Sequence, residues 1–339
     1  MNGKNTRGIT NDYVLTNNMA IICCFQYKRA DDYQDLKKRN VLTDLNKYMM
    51  FCTKTLGLSS SNIVILSDIE HLNQHVVSDK ILFINSGSQF EQTLRNLLSL
   101  LTENSFLFFA FSGHGESLDK SCHYVIPTGM SRSHYISGRQ IQQLFYYHLP
   151  QICTCLLLID TCYSGGLLSL KYKVSDTLQL NKKYLDMGAN RCIVCFHSSS
   201  KSELSAVFYE NEESGSVFSH YLLIHLINNN NITYIPNCLN IITKQIYSQR
   251  KFSRQPIHHP FVQCTHPGLY YNLQLNKQPS TPNPPPPPSS SFSSSFNTTP
   301  FHKGGINFHF NDQHDDYNLG HIQYCNNSNV SDITIATLV

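Results

Sequence analysis

Two apolar runs constrain this chain more than anything else in it. Phe106 to Phe111 reads Phe-Leu-Phe-Phe-Ala-Phe and stops at Ser112-Gly113-His114-Gly115. Leu156 to Ile159 reads Leu-Leu-Leu-Ile and stops at Asp160-Thr161-Cys162-Tyr163-Ser164-Gly165-Gly166. Neither run alternates apolar with polar, so each predicts a strand buried on both faces, as in a parallel sheet. Parallel neighbours need a long crossover, and roughly 45 residues separate the two motifs, enough for a helix. On that reading His114 and Cys162 leave the sheet at one carboxyl edge, where sites in open parallel sheets form. A thiol nucleophile beside an imidazole acid/base is the constellation of a cysteine hydrolase.

The rest of the chain fits the same plan. Met19 to Phe25 and Ile63 to Leu66 predict further buried strands. Between them, Leu42, Leu45, Met49 and Cys52 recur at helical spacing within residues 35–56, and Gly57 is a stop. Phe90, Leu94, Leu97, Leu98 and Leu101 define a second amphipathic helix. His123 to Pro127 predicts a short strand or hairpin piece, and Ser137 is an N-cap for a helix running to about His148. Cys192 to Phe196 and Phe261 to Cys264 predict strands, and Val217 to Ile227 and Cys238 to Ile246 predict helices. Strand–helix–strand units in succession imply an α/β fold, a parallel sheet with helices on its faces.

Ser112-Gly113-His114-Gly115 with Asp160-Thr161-Cys162-Tyr163-Ser164-Gly165 resembles the His and Cys motifs of the caspase-like peptidases, and within them the metacaspases, over about residues 18–268. The resemblance implies a caspase-like three-layer sandwich with a mostly parallel central sheet. It implies a cysteine endopeptidase with Cys162 as nucleophile and His114 as acid/base. Backbone N–H groups of Gly115 and Cys162 would then form the oxyanion hole. Asp160 falls where the family has an acid of the primary-specificity pocket, Ser112 where it has a hydroxyl, and Asp44 where it has a second acid. For Asp44 a solvated helix face is an equal alternative. The implied substrates are proteins or peptides cut after Arg or Lys, with specificity for Asp or Asn, as in other peptidases of the clan, as the competing expectation.

The chain departs from the family in four places. Tyr163 stands where His is common, Val41 where a pocket Cys is expected, and the Pro-rich segment follows the domain. Downstream of the His motif, the region that binds Ca²⁺ in many metacaspases holds only Glu116 and Asp119, opposed by Lys120. Ca²⁺ wants several oxygen ligands, so no cofactor or metal is expected to be required, with Ca²⁺ as the alternative that the resemblance leaves open.

Residues 167–189 predict a surface loop. Its Lys171, Lys173, Lys182 and Lys183 either solvate that loop or include a self-processing site. Ser198 to Glu203 predicts a wall of the substrate groove. Cys192-x-x-Cys195 has zinc-like spacing but lies inside an apolar run with no second pair, so it predicts buried structural thiols.

Of the 339 residues 41% are hydrophobic and 14% charged, with a formal net charge of +3 and no Lys/Arg block. Nothing in that composition calls for nucleic acid as a partner, and no apolar stretch is long enough for a membrane span. The polar segment 1–17 predicts a flexible leader without a signal peptide. Twelve cysteines without such a signal predict reduced thiols and a cytoplasmic protein. After the 18–268 domain, residues 269–300 form a Pro/Ser-rich linker containing Pro284 to Pro288, and 301–339 a polar tail. Both predict disorder. The proline run is either a spacer or a ligand for a Pro-rich-motif binding module. In the latter case the domain is a weakly active or inactive scaffold that recruits partners through its tail.

Overall fold

A computed structural model describes residues 18–27, 41–74, 76, 78, 80–118, 123–127, 135–174, 177–205, 215–228, 235–249 and 259–270. The 1–17 leader, the 269–300 linker beyond Tyr270 and the 301–339 tail lie outside these residues, as does Asp119.

The elements run β1 (Met19–Cys24), α1 (Val41–Met50), β2 (Ile63–Ser67), β3 (Lys80–Phe83), α2 (Gly87–Leu98) and β4 (Ser105–Ser112). Then come β5 (His114–Ser117), β6 (His123–Ile126), β7 (Ile136–Ser137), α3 (Gly138–His148), β8 (Cys153–Asp160), β9 (Tyr172–Val174) and β10 (Leu178–Leu180). The described chain closes with β11 (Arg191–His197), α4 (Val217–Asn228), α5 (Ile235–Gln249) and β12 (Phe261–Cys264).

Among the described residues one sheet has the order β10-β9-β12-β11-β8-β4-β1-β2-β3. The six strands from β11 to β3 are mutually parallel, and β12, β9 and β10 extend one edge antiparallel. The centre is as apolar as the sequence requires. All eight residues of β4 are buried, and their alternate side chains feed two separate cores. Phe106, Phe108 and Ala110 face α1, α4 and α5, whereas Leu107, Phe109 and Phe111 face α2 and α3. The result is three layers: helices, sheet, helices.

The chain order explains which helix lies on which face. From β1 the chain steps outward through α1 to β2, then returns past β1 through α2 to β4 and onward through α3 to β8. Right-handed crossovers in opposite directions put their helices on opposite faces. The reversal falls between β1 and β4, so the switch point of the sheet opens at the carboxyl ends of β1 and β4.

Local signals set the element ends. Ser86 accepts the Gln89 N–H at 3.2 Å as the α2 N-cap. Ser137 and Gln140 form a reciprocal capping box at α3. The first helix begins at Val41, within the described residues, and runs through a π-helical turn, Phe51–Thr55, toward Gly57 in the left-handed region (φ 67°).

One stretch differs from expectation. Residues 167–189 are not simply a surface loop: Leu167, Leu168 and Leu170 are buried, and β9 and β10 extend the sheet. Leu-x-Leu fragments separated by lysines carry too short a pattern for a two-to-three-residue strand to be read. Lys182 and Lys183 are exposed, while Lys171 and Lys173 are half-buried at β9. Among the described residues no helix is long and apolar enough to cross a membrane.

Candidate functional site

The last paired row of the two central strands is Ser112 opposite Asp160. Gly113 N–H extends the ladder by one more bond, to the Asp160 carbonyl at 3.3 Å. His114 and Cys162 therefore stand at the same height, each two residues beyond that row. Both are half-buried at the carboxyl edge, next to the switch point.

His114 is held through its backbone and its ring. Its N–H donates to the Tyr27 hydroxyl at 2.7 Å, and the two rings lie 4.7 Å apart. Tyr27 follows β1 in the left-handed region (φ 61°), a costly conformation for an aromatic residue. It is secured because Asp68, just past β2, accepts the backbone N–H groups of Gln26 and Tyr27 at 2.6 and 2.7 Å. A Cβ on Gly113 would collide with the Tyr27 hydroxyl. Gly113 is thus the residue that lets Tyr27 reach His114.

Cys162 sits in a turn fastened to the end of β11. Ser198 and Ser199 hydroxyls both donate to the Thr161 carbonyl at 3.1 Å, and the Ser164 hydroxyl donates to the Ser199 carbonyl at 2.9 Å. Tyr163, left-handed at φ 57°, donates its N–H to the Glu203 carbonyl at 2.8 Å. Ser164, Ser198 and Ser199 are fully buried. The expectation that Ser198 onward lines a groove therefore fails for Ser198 and Ser199, which anchor the cysteine turn from beneath. The Cys162 sulfur accepts the Ser205 N–H at 3.3 Å.

Gly115 is the tightest point. A Cβ there would run into the Cys162 carbonyl oxygen and stand 2.8 Å from the Thr161 Oγ1. Gly115→Ala is therefore expected to push β5 and the cysteine turn apart. The expected result is a loss of thiol-dependent peptide cleavage of about 100-fold, as for a reacting group misplaced by about an ångström, with the circular dichroism spectrum retained. Wild-type turnover by this variant would show that the close approach is unimportant.

Beneath the edge lies a buried polar cluster on the α1/α4 side. Asp160 and Asp44 are both 0% exposed. Asp44, on α1, accepts the Ser112 hydroxyl at 3.1 Å and the Ser216 N–H at 2.9 Å. A helix residue with no exposed surface is not a solvated face, so that alternative for Asp44 is excluded. Asp160 accepts the Ser205 hydroxyl at 3.1 Å and a short bond from the Ser219 hydroxyl. Ser219 in turn meets the Tyr48 hydroxyl at 2.6 Å. Burial, and then the Asp160 and Asp44 carboxylates, push the Tyr48 phenol well above its usual range, so it stays neutral. The structure thus brings Asp44, Ser112 and Asp160 into one cluster below Cys162. It adds Tyr27, Tyr48, Ser205, Ser216 and Ser219, which no spacing in the sequence singles out.

The remaining sulfurs are structural in setting. The ten described cysteines are free thiols. Burial pushes the thiols of Cys23, Cys52, Cys155 and Cys195 up and that of Cys192 to about 11. Cys192 and Cys195 pack on opposite sides of β11, toward different cores. Three residues apart on a strand, they cannot share a metal ion. Glu116 of the calcium-type region lies on β5.

His197, at the end of β11, is a buried titratable group. It stacks on Phe261 at 4.8 Å, and its Nδ1 lies 3.0 Å from the Ser164 carbonyl. Burial, with Lys173 nearby, lowers its pKa to about 3. Folded His197 therefore binds no proton between about pH 3 and 6.5, whereas the unfolded chain does, so stability falls as pH drops through 6.5 toward 3. By pH 5 the loss is about 2 kcal/mol. Urea midpoints measured from pH 7 to 5 are expected to fall in the wild type and to fall less steeply in His197→Gln, where His220 and His225, also lowered by burial, keep part of the slope. Equal slopes would refute the assignment.

Comparison with known proteins agrees with the motif reading. Residues 18–171 match the family model for the metacaspase peptidase C14 domain. The chain is 25% identical over 150 residues to Metacaspase-1 of Candida albicans (strain SC5314 / ATCC MYA-2876), covering 40% of this chain and 32% of that protein. It therefore spans about a third of the length of that curated relative. Among solved structures, Caspase-1 from Spodoptera frugiperda aligns at a TM-score of 0.42 and 14% identity, covering 74% of this chain and 86% of that one. Protein GSU0716 from Geobacter sulfurreducens aligns at 0.49 and 10%, covering 76% and 97%.

Proposed function

We propose that this protein, whose residues 18–171 match the family model for the metacaspase peptidase C14 domain, is a cysteine endopeptidase that cuts proteins or peptides after Arg or Lys. Cys162 is the nucleophile and His114 the general acid/base. Asp160 and Asp44, with Ser112, form the floor of the primary-specificity pocket.

The observation that carries this reading is the pair of fully buried carboxylates at the Ser112–Asp160 row, Asp160 within it and Asp44 bonded to Ser112, two residues before the thiol. A buried carboxylate attracts a cation strongly, because the low dielectric weakens the interaction little. Two of them beside one strand end suit a Lys or Arg side chain and repel an Asp.

In the reaction the Cys162 thiolate attacks the carbonyl carbon of the scissile bond. The carbonyl oxygen takes up the negative charge and is met by the backbone N–H groups of Gly115 and Cys162. As the tetrahedral species collapses, His114 gives its proton to the leaving amine. The acyl group remains on Cys162 as a thioester. His114 then takes a proton from water, the water oxygen attacks the thioester, and the thiolate is regenerated. The strained Tyr27 keeps the His114 backbone in place through these steps. This reading requires no metal, so chelation is expected to leave the rate unchanged. The free thiols support a reducing compartment such as the cytoplasm.

The test is cleavage of fluorogenic peptides ending in Arg, Lys, Asp or Asn, with Ca²⁺ or with a chelator, beside Cys162→Ala. Cleavage after Arg and Lys that persists in chelator and vanishes in the variant is expected. Preference for Asp or Asn would overturn the pocket assignment. Silence on all four peptides, with a thiol inert to alkylation, would favour the scaffold whose Pro-rich tail recruits partners.

A further inference from the structure

We infer that Ser205 is a positioning residue that ties the specificity pocket to the nucleophile, so that a basic side chain entering the pocket arms Cys162. The inference rests on the basic-pocket reading above. Ser205 makes two bonds at once. Its N–H donates to the Cys162 sulfur at 3.3 Å, and its hydroxyl donates to Asp160 Oδ1 at 3.1 Å.

Ser205 and Ser219, which both donate to Asp160, differ in kind. Ser219, which donates to Oδ2, is fully buried and braced by Tyr48. Ser205 is half-buried, so of these two donors it is the one with surface in contact with solvent. Asp160 has no exposed surface with Ser205 in place. The coupling requires that a cation reaching Oδ1 take the position of the Ser205 hydroxyl. Swinging that hydroxyl to another staggered rotamer vacates only its own volume. A guanidinium on its alkyl stem needs more, so the backbone of Ser205 retreats, and its N–H leaves the sulfur.

That retreat changes the thiol. An N–H donated to sulfur occupies a lone pair and covers one side of it, and a more stabilised thiolate is a weaker nucleophile. Release makes the sulfur more open and more nucleophilic. Occupancy of the pocket and readiness of the nucleophile become one event, which adds selectivity for basic residues at the chemical step and not only in binding.

The test is the rate at which iodoacetamide alkylates Cys162, followed by mass spectrometry of the Cys162 peptide at a pH where the thiol is fully ionised. It is run with and without agmatine, a guanidinium on an alkyl stem with no carbonyl to attack, and with butylurea as a neutral analogue. In the wild type agmatine is expected to raise the rate about twofold, the worth of one hydrogen bond scaled by the Brønsted slope of thiolate nucleophilicity, and butylurea to leave it unchanged. Ser205→Ala, which frees the segment from Asp160, is expected to react at the faster rate already and to ignore agmatine. Ser205→Thr keeps the hydroxyl and is expected to restore the response.

An agmatine effect of equal size in Ser205→Ala, or agmatine slowing the wild type, would overturn the coupling. Arg-peptide cleavage measured in the same preparations separates the two readings. Cleavage without an agmatine effect keeps the basic pocket and refutes the coupling. Neither cleavage nor an effect refutes both.

Discussion

Replacing Cys162 with alanine is expected to lower kcat/KM on Arg- and Lys-ended peptides by on the order of 10⁴-fold or more, with the fold retained. On the transition-state scale that is about 5 kcal/mol. The size follows from chemistry: without the sulfur no acyl-enzyme forms, and water must attack the peptide unaided. The fold survives because Cys162 is half-buried and lies past the end of β8, outside both apolar cores. His114→Ala is expected to cost a similar factor, and the double variant no more than either single one, since the two residues act as a unit. Peptide hydrolysis in the three variants, with circular dichroism beside it, is the measurement. Losses that multiply in the double variant would mean that the two side chains act separately.

Asp160→Ala is expected to remove 10² to 10³ of the preference for Arg over citrulline, on the order of the loss when one partner of a buried ion pair is deleted. Citrulline keeps the shape of Arg and lacks its charge, so the ratio isolates the carboxylate. The thiol should remain reactive to iodoacetamide, because Cys162 is held by the turn beneath it, through Thr161 and Tyr163, and not by Asp160 alone. A variant equally slow on both peptides would make Asp160 a structural residue. An unchanged ratio would leave Asp44 as the pocket acid. Asp44 sits deeper, tied to Ser112 and to the Ser216 N–H.

Much of this architecture is legible in the order of residues alone. Phe106 to Phe111 and Leu156 to Ile159 are apolar at every position, and only a strand covered on both faces hides every side chain. The capping box at Ser137 and the spacing of Phe90, Leu94, Leu97 and Leu98 are equally local. The His and Cys motifs are legible because each follows directly on such a strand. Short elements are not. In β9, β10 and β3 no more than four residues pair, and their places at or next to the sheet edges leave most side chains partly exposed, so no period builds up.

By itself the sequence determined the buried strands, the helices between them, and a thiol and an imidazole at two strand ends. These rest on periods of two and 3.6 residues and on neighbours in the chain. Only the tertiary structure decided what those groups meet. Asp44 and Ser112 lie 68 residues apart, Cys162 and Ser205 43, and His114 and Tyr27 87. Such pairs arise from the strand order, which brings β1, β4 and β8 side by side and folds α1 and α4 over one face. A carboxylate on a helix reads as a solvated charge until that packing buries it. A serine between Leu204 and Ala206 carries no mark of the sulfur it touches.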